Sequence, residues 1–292
     1  MKCKALRTMA LAILAASFQV ASAANTASEK VGDYTWSYSV VDGKAVIGVV
    51  DENGYPKGLQ RAIEPEPVGA VEIPSTLGGC PVTEIGDYAF YSCGRMTALT
   101  FPPGVVRIGR FAISYQGGMA GIDLPDGLTE IAADAFFNCY GLTSVAIPSG
   151  VTNVGSSAFA YCSKLKSVTI PGSVQTLGDG VFSYCRVLDA FAVDETNPCC
   201  KVVDSCLLTK DGKTLLRGPA SERVVVPSCV EEVSDEAFSD CRNLWGVTFQ
   251  EGVQTIGPNV FTWCDDLQTV FFPSTVTHID GYCRKVGDGI PV

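Results

Sequence analysis

Pro102, Pro125, Pro148 and Pro171 are spaced by 23 residues, and the step resumes at Pro227, Gln250 and Pro273. Other columns keep the same step. Ile85, Ile108, Ile131, Val154 and Leu177, then Val233, Ile256 and Ile279, are each followed by a small or polar residue, usually Gly. Phe90, Ile113, Phe136, Phe159, Phe182, Phe238 and Phe261 form a second column. Three residues beyond each come Cys93, Gln116, Cys139, Cys162, Cys185, Cys241 and Cys264. A fixed period of this size specifies a solenoid, whose units bury their apolar faces only against their neighbours.

The coil from Leu165 to Cys185 shows how one unit is built. Leu165, Val168 and Ile170 follow an L-x-x-L-x-L strand pattern, with Val168 and Ile170 on one face by period-two alternation. Pro171 lacks an N–H and ends that strand's pairing. Val174 and Leu177 make a second extended piece, and Gly178 permits a turn. Val181, Phe182 and Cys185 fall at i, i+1 and i+4, which predicts a short helical turn closing the coil. The expected fold is therefore an α/β solenoid of 23-residue leucine-rich repeat coils.

Two segments break the period. From Pro171 to Pro227 the extra residues lie within 194–223, and Asp211-Gly212-Lys213 between apolar runs predicts a β-hairpin in this insert. A smaller loop surrounds Gly78-Gly79. Ahead of the solenoid, the alternating stretch Tyr34 to Val40, the turn Asp42-Gly43 and the run Ala45 to Val50 read as an N-terminal β-hairpin covering the open first coil. The expected organisation is a cap region over 24–69, a solenoid over 70–283 and a tail over 284–292. Arg284 stands where the next Phe belongs, so the last coil is incomplete.

The string from Leu142 to Cys162, with its neighbours over roughly residues 70 to 283, resembles the BspA-like leucine-rich repeats of bacterial surface and secreted proteins. The segment from Asp194 to Leu216 resembles an insertion common between coils of that family. The resemblance implies surface recognition or adhesion without naming a ligand. Departures are Gln116 and Gln250 in the Cys and Pro columns, and Cys199, Cys200 and Cys206 in the insert.

Lys2, Lys4 and Arg7, the apolar run Met9 to Val20 and Ala21-Ser22-Ala23 read as a secretory signal peptide over 1–23, cleaved after Ala23. That run is too short to span a bilayer, so membrane insertion is not expected and the protein is expected to be secreted or at the cell surface. Setting aside those three cations leaves 18 Lys and Arg against 31 Asp and Glu, a net charge near −13. Nucleic acid is then a poor partner, because phosphate binding relies on clustered cations.

The cysteine column lies beside the core Phe column, where free Cys behaves as a small hydrophobe. Equivalent positions of stacked coils point in parallel and do not converge as disulfide geometry requires. Cys199, Cys200, Cys206 and Cys229 lie outside the column and form the candidate disulfide region. Their spacing is not the paired C-x-x-C of structural zinc sites, so no metal is assigned. His278 is the single histidine, and scattered carboxylates without a cleft do not make an acid/base site, so no catalytic residue or cofactor is expected.

Two surface columns remain. The outward strand position reads Glu72, Thr100, Asp123, Ala146, Thr169, Ala192, Val225, Thr248 and Phe271, turning apolar at its end. Just before the cysteine column come Tyr115, Tyr161, Tyr184 and Trp263, interrupted by Ser92, Asn138 and Asp240. Exposed aromatics in a row suit contact with a protein or glycan; the competing account lays each ring over the next coil as packing. The sequence reading is a non-catalytic binding or adhesion module for an extracellular protein or glycan. A self-associating structural component of a surface or matrix is the alternative, and a hydrolase with the insert as lid ranks last.

Overall fold

The computed structural model describes residues 26–49 and 60–280. The expected signal peptide, the end of the expected solenoid from 281 to 283 and the tail with Arg284 lie outside the described residues. At the N-terminal end, Ala27–Val31, Tyr34–Val41 and Lys44–Ile47 form an antiparallel meander. Its last strand pairs parallel with Cys80–Ile85, the second strand of the first coil. The cap is thus one strand larger than the expected hairpin. It buries Trp36, Tyr38, Ala45 and Ile47 over the open coil, and the Trp36 ring meets the edge of Phe90 at 6.1 Å. The indole thereby tops the Phe column.

Each later coil contributes to two parallel ladders. The L-x-x-L-x-L strands pair as Ser144–Ala146, Ser167–Ile170 and Ala190–Val193, and again as Arg223–Val225, Gly246–Thr248 and Thr269–Phe271. The Ile-column strands Arg107–Ile108, Glu130–Ile131, Asn153–Val154 and Thr176–Leu177 pair in a register that repeats the sequence period. After each Pro-column residue the chain turns, with N–H groups such as those of Val151 and Val174 donating to the Pro148 and Pro171 carbonyls. About nine coils stack in this way.

The closing segment of each coil corrects the expected helical turn: no helix is present among the described residues. Two residues per coil, four apart, take positive φ, as with Asp134 and Asn138, Ser157 and Tyr161, and Glu236 and Asp240. Left-handed residues at that spacing stop an α-helix from propagating. The N–H groups therefore alternate. Ala158 and Ala160 donate within their own turn, to Gly155 and Ser157, while Phe159 and Tyr161 donate to Val181 and Ser183 of the next coil. The i, i+1, i+4 apolar pattern belongs to a run of turns stitched to its neighbour.

The thiol column is buried and adds a further inter-coil bond. Cys139, Cys162, Cys185 and Cys264 each donate to the carbonyl of the Phe-column residue one coil back, at 2.9 to 3.3 Å. Gln116 makes the same bond through Nε2, to Phe90 at 2.6 Å, which explains why an amide can replace the thiol. Burial pushes Cys93 and Cys264 up to about 12. All described cysteines are free thiols.

The insert extends the stack. Cys200–Val203, Cys206–Thr209 and Thr214–Arg217 form an antiparallel meander, containing the expected hairpin at Asp211-Gly212, and Thr214–Arg217 starts a new parallel ladder with Glu232–Val233. The core divides here into two clusters, one ending at Cys200 and Leu207 and the other beginning at Cys206 and Leu208. In place of a complete turn segment, buried Arg217 reaches between Cys185 and Cys241. Its guanidinium donates to the carbonyls of Cys185, Glu236 and Ser239 and to Ser239 Oγ, at 3.0 to 3.1 Å. Gly218 is required because a Cβ there would meet the Phe238 ring at 1.9 Å.

Candidate functional site

The aromatic column occupies the second left-handed position of each turn, with φ near 60° at Tyr115, Tyr161, Tyr184 and Trp263. Ser92, Asn138 and Asp240 fill the same position elsewhere. Short polar side chains tolerate this conformation, whereas a bulky ring there is an outlier whose presence calls for a compensating contact or a functional reason. The contacts are ring on ring. Tyr161 stacks on Tyr184 at 4.3 Å with planes 10° apart, and Trp263 meets Tyr184 edge-on at 5.1 Å, reaching over Asp240.

At two of the three polar positions, Ser92 and Asn138, the preceding residue supplies the ring. Tyr91 stands beside Ser92 and lies 5.2 Å from Tyr115; Phe137 stands beside Asn138, 5.8 Å from Tyr115 and 4.9 Å from Tyr161. Tyr88 and Phe111, at the first left-handed position, stack at 5.3 Å and join the same row. One continuous aromatic ladder therefore runs from Tyr88 to Trp263. Sequence reasoning missed Tyr88, Tyr91, Phe111 and Phe137. The available signal was the aromatic immediately before Ser92 and before Asn138.

Exposure along the ladder is uneven. Trp263 is 52% exposed and Tyr184 only 8%, while Tyr88, Tyr91, Tyr115, Phe137 and Tyr161 are half-buried. Tyr184 is packed and bonded: its hydroxyl donates to Glu236 Oε1 at 3.1 Å, and burial pushes its phenol up. Burial also raises Tyr161 and Tyr91. Beside Trp263, the nearly buried Asp240 carboxylate pairs with Arg242 at 2.6 Å and Arg186 at 3.6 Å. This end of the ladder therefore has an aromatic platform with charged groups on its flank.

The strand face lies elsewhere. Phe271 is 61% and Val225 56% exposed, and they flank Thr248 in register on three successive strands. The candidate disulfide region is divided by the insert sheet. Cys200 joins the first core and Cys206 the second, Cys199 is half-buried against the first, and Cys229 is exposed. Among the described residues no cluster of His, Cys, Asp and Glu could hold a metal ion, and no helix is long and apolar enough to cross a membrane. His278 is exposed and paired with Asp280 at 2.8 Å.

A repeat of two parallel ladders closed by stitched turns defines a leucine-rich repeat solenoid. The profile of the BspA type leucine rich repeat region matches residues 83–198 and 216–285 with six copies, and the chain belongs to that family. Among solved structures, the pneumococcal vaccine antigen PcpA is 22% identical, with a TM-score of 0.61 over 87% of this chain and 72% of that one. The Treponema pallidum leucine rich repeat protein TpLRR is 25% identical, with a TM-score of 0.51 over 80% and 87%. A leucine rich cell surface protein from Faecalibacterium prausnitzii is 23% identical, with a TM-score of 0.51 over 86% and 78%. No curated protein matches the chain.

Proposed function

We propose that this protein is an exported, non-catalytic binding module whose contact surface is the aromatic ladder, centred on its exposed end at Trp263. The single observation that carries the reading is the continuity of the row: at Ser92 and Asn138 the preceding residue supplies a ring, and at Asp240 Tyr184 and Trp263 meet directly. Packing alone needs no such replacement, since small polar side chains satisfy the left-handed positions. Rigid aromatics supply contact area at low entropic cost, so an extracellular protein or glycan spanning several coils is the fitting partner. Two structural relatives are described as a vaccine antigen and a cell surface protein, which accords with display outside the cell.

Self-association is the second reading, and Phe271, Phe272 and Val225 favour it as an exposed apolar group at the end of the strand face. Folded protein should be screened against matrix proteins and a glycan array beside Trp263→Ala and Phe271→Ser. Capture lost in Trp263→Ala alone supports the ladder. Concentration-dependent self-association lost in Phe271→Ser, with nothing captured, supports the second reading.

A further inference from the structure

The break in the stack at the insert leaves polar groups that the regular coils pair. Ser157 and Phe159 donate their N–H groups to the carbonyls of Asp179 and Val181 in the next coil, at 2.9 and 3.0 Å. Gly180 and Phe182 hold the same positions one period on, but the insert follows them and supplies no turn segment to accept from them. Among the described residues neither N–H has a hydrogen-bond partner. The Val154 carbonyl accepts from Gly178 at 2.8 Å, whereas its counterpart at Leu177 has no donor.

Leu177, Gly180 and Phe182 line one cavity of about 290 Å³, bounded on the insert side by Leu216 and Arg217. Arg217 is 2% exposed. Its terminal nitrogens donate to three carbonyls, to Ser239 Oγ and to Cys241 Sγ, while its buried Nε has no partner. A buried cation without a counter-charge is costly, and the unpaired N–H groups of Gly180 and Phe182 lie on the wall of the same cavity. The rim has the opposite sign: Asp179, Glu232 and Asp235 are exposed and line the cavity, and none of the three is in an ion pair among the described residues. Glu236 stands on the same side, with Oε2 3.7 Å from where a Cβ on Gly180 would lie.

The geometry points to a binding site for a small zwitterion, an apolar α-amino acid. Its carboxylate would accept from Arg217 Nε and the N–H groups of Gly180 and Phe182. The ammonium would donate to the Leu177 carbonyl and the rim carboxylates, and the side chain would rest on Val181 and Leu216. A purely anionic ligand would be repelled by the rim and a purely cationic one by Arg217, so a molecule carrying both charges on one carbon suits both ends. The volume lies at the lower end of ligand cavities, which limits the occupant to about the size of a single amino acid. This site is independent of the aromatic ladder.

The test is equilibrium dialysis of the folded full chain against radiolabelled L-valine, competed with unlabelled L-valine, acetate, chloride and N-acetyl-L-valine amide. Saturable binding is expected, with each of the other competitors at least about tenfold weaker than L-valine because each lacks one or both charges. Arg217→Met should abolish binding. The double variant Asp179→Asn, Asp235→Asn, changed only at the exposed rim, should weaken it about three- to tenfold. Protection of the column thiols reports that each variant is folded. If Arg217→Met loses that protection, the competitor series and the rim variant decide. Absence of saturable L-valine binding, or an unchanged affinity in the rim variant, would overturn the proposal. So would equal competition by acetate or chloride, which marks a simple anion site, or by N-acetyl-L-valine amide, which marks pairing with a peptide backbone.

Discussion

Arg217→Met removes the guanidinium that bridges the two core clusters while keeping most of the side chain's apolar volume. The Ser239 carbonyl loses its donor in a buried site, whereas those of Cys185 and Glu236 lose one bond each and keep the N–H groups of Leu188 and Ser239. An orphaned buried polar group costs about 1–3 kcal/mol, and relief from burying a cation with no carboxylate partner offsets part of the sum. A net loss of about 1–3 kcal/mol is expected. Coils of a solenoid are coupled only through neighbours, so the loss falls on the junction and the halves should unfold apart. Urea unfolding followed by thiol accessibility separates them: Cys139 and Cys162 report the first core, Cys241 and Cys264 the second. Wild type should expose both pairs together and Arg217→Met should expose the second pair first. One coincident transition, at wild-type stability, would refute the bridging role.

Three further outcomes follow from the stacking. Phe159→Ala, in a central coil and stacked on Phe136 at 5.0 Å, should cost about 3–5 kcal/mol in urea unfolding, and Phe261→Ala distinctly less. Equal losses would contradict one-dimensional coupling. Stability should fall above about pH 9, because Cys93, Cys206 and Cys264 stay protonated to about 12 when folded but ionise near 8.5 when unfolded. Their contribution is complete below the unfolded value and is lost as pH rises toward the folded one, at about 1.4 kcal/mol per pH unit per thiol; a urea midpoint unchanged from pH 7 to about 10 would contradict it. Tyr184→Ala should cost folding stability through its lost stacking and its bond to Glu236, whereas Trp263→Ala should shift the urea midpoint little.

The period carried most of the fold because every column answers to one physical demand repeated per coil. The Phe and Cys columns, the Pro-terminated strands and the hairpin at Asp211-Gly212 were legible for that reason. The helical turn was misread because Val181, Phe182 and Cys185 have helical spacing, while the evidence against a helix lies in Asp134, Asn138, Gly180 and Asn259 at left-handed positions. Residues suited to that conformation, four apart, signal stitched turns. Arg217 was not legible, since a lone arginine in a strand gives no sign that a missing turn segment will need a donor. Half of the ladder was missed because Tyr91 and Phe137 lie one residue off the column and join it only through the stacking of coils.

The most direct measurement of the central claim is hydroxyl-radical footprinting of the native protein with and without a captured protein or glycan. Binding through the ladder predicts protection of Trp263 together with Tyr161 and Tyr115, with Phe271 equally oxidised in both states. Protection confined to Phe271 and Phe272, with Trp263 unchanged, would contradict it.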